Sequence, residues 1–176
     1  LGALPYLIHR YPQAEIIATP FTMAVLDEIL EGEKIVVKNR RRIIREDSTY
    51  VLNGSSGQIK MEFIHATHST LQCVFIAMHT SEGTFFYALD FKFDNYPIIG
   101  DPPRYNKLRE LGRKGIKVLV LDALYSKLER KTPSERIARN MVEDAMSSVR
   151  DRNAAFIVTT FSSHISNDLL IYQKVF

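Results

Sequence analysis

The chain has 176 residues, 45% apolar and 24% charged, a balance that suits one good globular core or two small ones and excludes a disordered or low-complexity chain. No apolar run reaches the roughly 18 residues of a membrane span, and no basic-then-apolar opening marks export. A formal net charge of +3 with a pI near 9.0 permits nucleic-acid binding without demanding it. The single cysteine, Cys73, cannot form an internal disulfide, suits a reducing cytoplasm and reads as a small buried apolar side chain.

In chain order, Gly2 to Leu7 opens a helical stretch ending near Arg10-Tyr11-Pro12, and Ala14 to Ala18 reads as a short strand. Thr19-Pro20 supplies an N-cap and a first-turn proline for a helix with Ala24, Val25, Ile29 and Leu30 on one face and Gly32 as its stop. From Glu33 to Asn53 the chain is polar and basic, with short β-prone pieces at Ile35 to Val37 and at Ile43-Ile44. Lys38, Arg40, Arg41, Arg42 and Arg45 make the densest positive cluster. They form either a charged edge that resists pairing or a set of contacts to nucleic-acid phosphates. Asn53 to Gly57 is a turn.

Ile59, Met61 and Phe63 then alternate with Gln58, Lys60 and Glu62, a half-buried strand that gives out near His68. Val74 to Met78 is a second strand, joined through Ser81-Glu82-Gly83 to a third, Thr84 to Leu89, which reads as buried on both faces and ends at Asp90. A strand-end His is commonly a hydrogen-bonded structural residue, and an Asp there commonly a turn former. A carboxylate beside buried strands nonetheless needs a cation or hydrogen bonds to offset its desolvation. His68 is a candidate neighbour for Asp90.

Turn formers at Asn95 to Pro97 and Gly100 to Pro103 mark a change of unit, dividing residues 1–100 from 101–176. Arg104 to Arg113 is a basic helix carrying Leu108 and Leu111, ended by Gly112 or Gly115. Ile116 to Leu121 is a buried strand with Asp122 at its carboxyl end, where open α/β sheets place ligands. Thr132-Pro133-Ser134-Glu135 starts a helix, with Thr132 as N-cap, whose stripe of Ile137, Met141, Ala145 and Val149 reads as core packing. Ala154 to Thr160 is a further strand delivering Phe161-Ser162-Ser163-His164. This βαβ unit would set Asp122 and His164 on one rim.

Thr67-His68-Ser69, followed by Leu89-Asp90-Phe91-Lys92-Phe93-Asp94, resembles the third and fourth motifs of the β-CASP group of metallo-β-lactamase-fold nucleases. Within that group the chain is similar to the ribonuclease J family, particularly its archaeal form, from Gly2 to Ile165. The resemblance implies an α/β fold: part of a metallo-β-lactamase αββα sandwich over residues 1–100, then part of an α/β β-CASP domain over 101–176. It implies two Zn²⁺ ions, with His68 binding one and Asp90 bridging both. Asp122 matches the acid of the first β-CASP motif, and His164 the histidine that contacts the scissile phosphate. Ala123 stands where many relatives have Ser. The implied activity is metal-assisted hydrolysis of RNA from the 5′ end or internally, in the cytoplasm, with Ser162, Ser163, Lys38, Arg40, Arg41 and Arg42 as candidate RNA contacts. No membrane partner is implied, and a homodimer or larger complex of the full-length protein stays open.

The H-x-H-x-D-H motif and the last metal-binding histidine of that family are absent, so the expectation is a stretch that is inactive by itself. Two other readings stay open: a non-catalytic RNA-binding or assembly subunit, and a small-molecule hydrolase on the same fold. The second lacks a reason for the unit around Asp122 and His164.

Overall fold

Ile59, Met61 and Phe63 alternate with Gln58, Lys60 and Glu62, and the strands between Ser48 and Ala88 form an antiparallel meander. The computed structural model describes residues 1–149 apart from 56 and 130, together with 157 and 159. Before the meander come a helix α1 (Leu4–Leu7) extended by a 3₁₀ turn (Ile8–Arg10), a strand β1 (Ile16–Ala18), a helix α2 (Pro20–Gly32) and a strand β2 (Arg41–Ile43). The meander is β3 (Ser48–Gly54), β4 (Gly57–His65), β5 (Val74–Thr80) and β6 (Gly83–Ala88); α3 (Tyr105–Lys114), β7 (Val118–Leu121) and α4 (Glu135–Ser148) follow it. The main sheet has five strands in the order β3-β4-β5-β6-β7, antiparallel up to β6 and parallel between β6 and β7. Strands β1 and β2 form a separate parallel pair. The protein is therefore α/β with a mixed sheet.

The β5–β6 hairpin closes through Ser81-Glu82 between paired Thr80 and Gly83. Gly83 has φ +128, a backbone conformation that favours glycine, and a Cβ there would press on the Lys117 side chain at 3.1 Å. Ile64, Phe75, Ala77, Phe86 and Ala88 share one sheet face, which α3 covers with Leu108 and the fully buried Leu111. Burying a leucine in this way contributes roughly 2–3 kcal/mol. Gly115, at φ +92, ends α3 in a conformation that other residues rarely adopt.

The same face carries one charged anchor. Glu62, directly opposite Ala77, reaches Lys107 of α3 at 2.7 Å and Lys60 at 3.2 Å, and its Oε1 lies 3.0 Å from His79 Nε2. Burial works to raise the Glu62 pKa, and the hydrogen bonds from Lys107 and Lys60 outweigh it, bringing the carboxyl down to about 2.

The α2 face differs from the expected one. Met23, Leu26 and Leu30 are buried against Leu4, Ile16, Ala18, Ile35 and Val37, whereas Ala24 is exposed and Val25 and Ile29 are half-buried. Ile35 to Val37 therefore packs as an irregular segment, and β2 begins only at Arg41. Strand β3 is an addition to the sequence reading: as a sheet edge it buries little, so its alternation is weak.

Burial on both faces is not found for the later strands. Tyr87 of β6 is 38% exposed, and all four residues of β7 are exposed. Helix α4 has no buried residue, and its stripe from Ile137 to Val149 is open to solvent. Among the described residues, nothing covers the β7 edge or that stripe as α3 covers the opposite face.

The segment 95–103 is irregular as expected, yet it does not interrupt the sheet or the core. Helix α3 packs on the first sheet and β7 extends it. No helix among the described residues is long and apolar enough to cross a membrane.

Because the folded Glu62 pKa of about 2 lies below its ordinary 4.5, its contribution is complete above pH 4.5 and disappears as the pH falls through about 2. Glu62→Gln is expected to lower stability at pH 7 by roughly 1–3 kcal/mol and to flatten the stability profile across that acid window. Urea denaturation at stepped pH checks both; an unchanged profile in the variant refutes the anchor.

Candidate functional site

Strands β4 and β6 end at the same edge of the sheet, and β5 begins there, because β5 runs antiparallel to both. Strand β7, parallel to β6, also ends at this edge. The topology thus gathers His68, Cys73, Asp90 and Asp122 at one rim.

Beyond the regular strands, one isolated bridge continues the pairing, between Thr67 and Lys92. Lys92 N–H donates to the Thr67 carbonyl at 2.8 Å, and the Thr67 hydroxyl donates to the Lys92 carbonyl and accepts Asp94 N–H at 3.3 Å. Thr67 and Asp94 are both buried, and these bonds satisfy polar groups that burial would otherwise penalise. The bridge locks the His68 motif against the Asp90 motif. His68 and Asp90 consequently line one recess, together with Cys73 and with Thr22, Val25, Glu28 and Ile29 of α2.

The loop between His68 and β5 is fixed from three directions. Ala66 N–H donates to the Cys73 carbonyl, Cys73 Sγ donates to the Thr70 carbonyl at 3.3 Å, and Gln72, at φ +56, accepts Phe21 N–H on its Oε1 at 2.8 Å. Gln72 thereby caps the N-terminus of α2. Thr19, the expected cap, makes no such bond and donates its hydroxyl to Thr22 instead. His68 Nδ1 accepts Thr70 N–H at 3.3 Å.

Behind His68 lies a second cavity, bounded by Glu46, Asp47, His65, Lys92, Asp94, Arg104 and Glu135. His65, an ordinary residue by sequence, is buried with Nδ1 2.7 Å from Glu46 and Nε2 2.8 Å from the Asp101 carbonyl. Asp47 accepts His65 N–H at 3.0 Å and Arg104 Nε–H at 2.7 Å. Burial pushes the Asp47 carboxyl up, and those bonds prevail, leaving it below its ordinary value. This network ties the end of β4 to the start of α3.

Asp94 caps α4 from a distance of 41 residues in sequence, accepting Glu135 N–H at 2.8 Å, and also accepts Tyr96 N–H at 2.8 Å. Burial raises its pKa and these donors lower it further than burial raises it. Ser134, not Thr132, is the local N-cap, and the helix begins at Glu135. The Thr132-Pro133 signal is real turn chemistry two residues early.

Asp122 sits at the carboxyl end of β7. It is exposed, its N–H donates to the Ala88 carbonyl at 3.1 Å and its Oδ1 accepts Leu124 N–H at 2.9 Å, as in a turn-forming aspartate. Ser162, Ser163 and His164 lie outside the described residues, as does most of the strand expected at 154–160.

The arginine cluster is largely taken up by ion pairs. Arg42 and Arg40 approach Glu15 at 3.0 and 3.6 Å, Arg41 pairs with Asp27, and the Arg42 guanidinium stacks 4.5 Å above the Tyr50 ring. Arg42 is the chief reason the Glu15 carboxyl lies below its ordinary value. Lys38 remains exposed.

A tetrahedral zinc site needs about three or four protein ligands. Among the described residues no group of three His, Cys, Asp or Glu side chains is arranged to hold a metal ion. His68 and Asp90 do not fit a zinc site by themselves. Burial, with the nearby Asp90 and Glu46 charges, pushes the Cys73 thiol up to about 12.

The chain is 36% identical over 167 residues to ribonuclease J of Methanocaldococcus jannaschii and 34% identical over 166 residues to that of Pyrococcus abyssi, each match covering 94% of the chain. The chain is a homologue of ribonuclease J. The similarity extends to bacterial ribonuclease J, with 27% identity to the Helicobacter pylori protein over 175 residues, 99% of this chain and 24% of that protein. The matched region spans 36% of the length of either archaeal ribonuclease J. No protein-family model matches the chain.

The raised Cys73 pKa, about 12 against an ordinary 9.0, predicts slow alkylation. Iodoacetamide is expected to modify the native protein at pH 8 on the order of a thousandfold more slowly than the urea-unfolded chain. Comparable rates in the two states refute an inert thiol.

Proposed function

We propose that the chain is part of a metal-dependent ribonuclease that hydrolyses RNA phosphodiester bonds, acting from the 5′ end and also internally. The observation that carries this reading is the Thr67–Lys92 bridge, which turns two motifs distant in sequence into one rim where His68 and Asp90 share a recess. Homology with ribonuclease J supports RNA as the substrate.

On this reading the chain joins part of a metallo-β-lactamase domain, which includes the five-stranded sheet and α3, to the start of a β-CASP domain. His68 and Asp90 supply two ligands of a zinc set whose other members lie outside the described residues. Bound zinc would activate water and offset charge on the phosphate. The chain's own contribution is to hold His68 and Asp90 in fixed relation. Asp122, on the same rim, supports the phosphate site with His164. Lys38 and Arg45, both exposed, are the members of the basic cluster best placed to meet an RNA backbone, since Arg40, Arg41 and Arg42 already have carboxylate partners.

The test is hydrolysis of 5′-monophosphorylated and 5′-triphosphorylated RNA by the full-length protein, with zinc content measured alongside. His68→Ala and Asp90→Asn are each expected to lower the rate by roughly a hundredfold or more and to reduce bound zinc. Wild-type rates in both variants overturn the assignment of these residues. A full-length protein that binds RNA without cleaving it supports the non-catalytic subunit instead, a reading consistent with the two-ligand set.

A further inference from the structure

Helix α4 is joined to the sheet by polar contacts at its first turn, not by an apolar face. None of its residues is buried. Lys92 Nζ lies 2.8 Å from Glu135 Oε1, with side chains only 17% and 15% exposed. Asp94, 3% exposed, accepts the Glu135 N–H, and Ser134 Oγ donates to the Tyr96 carbonyl at 2.9 Å. The Arg136 guanidinium lies 5.9 Å from the centre of the Tyr96 ring. All these partners come from Lys92 to Tyr96, directly after Asp90, and Lys92 is also the residue bridged to Thr67 beside His68.

We propose that Lys92 and Asp94 are positioning residues, which lock the first turn of α4 to the rim bearing His68 and Asp90 so that the helix and the rim hold one relative placement. Charge-assisted bonds suit this role because they fix direction as well as distance, whereas apolar packing tolerates sliding. A carboxylate at a helix N-terminus is also favoured by the helix dipole. Removing either member of the Lys92–Glu135 pair leaves a largely buried charge uncompensated, so the joint is held together or given up as a unit. For its catalytic consequence the proposal rests on the ribonuclease reading; for the joint itself it does not.

The experiment compares wild-type full-length protein with Lys92→Glu, Glu135→Lys, the charge-exchanged double variant and Asp94→Ala. Steady-state RNA hydrolysis and amide hydrogen exchange at Glu135 are followed in each. The single variants are expected to lose roughly 10- to 100-fold in kcat with KM little changed, and to exchange the Glu135 amide faster. The charge-exchanged pair should recover both. Faster exchange with unchanged kcat overturns the positioning role, and failure of the exchanged pair to recover protection overturns the ion pair as its basis. If the wild type hydrolyses no RNA, the ribonuclease reading fails, while the exchange measurements alone still uphold or refute the joint.

Discussion

The pairing of Thr67 with Lys92 is the constraint on which the arrangement of the rim depends. Strand β4 stops at His65 and β6 at Ala88, so His68 and Asp90 both lie on chain that regular sheet pairing no longer holds. A single bridge, with the Thr67 hydroxyl bonded on one side to a carbonyl and on the other to Asp94 N–H, restores order there. Because Thr67 and Asp94 are buried, each of these bonds would leave an unsatisfied polar group if broken. The two motifs thus hold each other in place, and the side chains between them face a shared recess as a result.

The two loops at this rim also serve two helices. Gln72 caps α2 across 51 residues and Asp94 caps α4 across 41. This division explains what the sequence made legible. Strand β4 follows from local alternation, β5 and β6 from short apolar runs around a turn signal, and α3 from an i, i+3 leucine pair, all readable within a few neighbouring residues. At the helix starts the local signals give part of the answer: Thr19 stands at the N-cap position of α2 while Gln72 supplies the side-chain bond, and Ser134, two residues past Thr132, caps α4 together with Asp94. On α2 the sequence offers two apolar faces, Val25 with Ile29 and Met23, Leu26 and Leu30 at i, i+3 and i+7, and contact with Ile16, Ile35 and Val37 selects the second.

At the rim, sequence and structure contribute different parts. The motif strings single out His68 and Asp90, and only the fold brings them to one recess and adds Glu28 of α2 to its wall. The basic cluster shows the reverse case. Arg40, Arg41 and Arg42 look available in a list of residues, but Glu15 and Asp27 are too far away in sequence to be recognised as their partners before the chain is folded. Charge density along a sequence therefore overstates charge available to a ligand.

The single parallel contact in the sheet bears on how the rim is completed. Strands β3 to β6 can zip together through successive hairpins, each closing a short loop. Strand β7 must instead cross back over the sheet by way of α3 before it can lie beside β6. Such non-local closure is slow relative to hairpin formation, because the intervening chain loses its freedom before the pairing compensates it. Asp122 therefore owes its place on the rim to a crossover that the hairpins bearing His68 and Asp90 do not need.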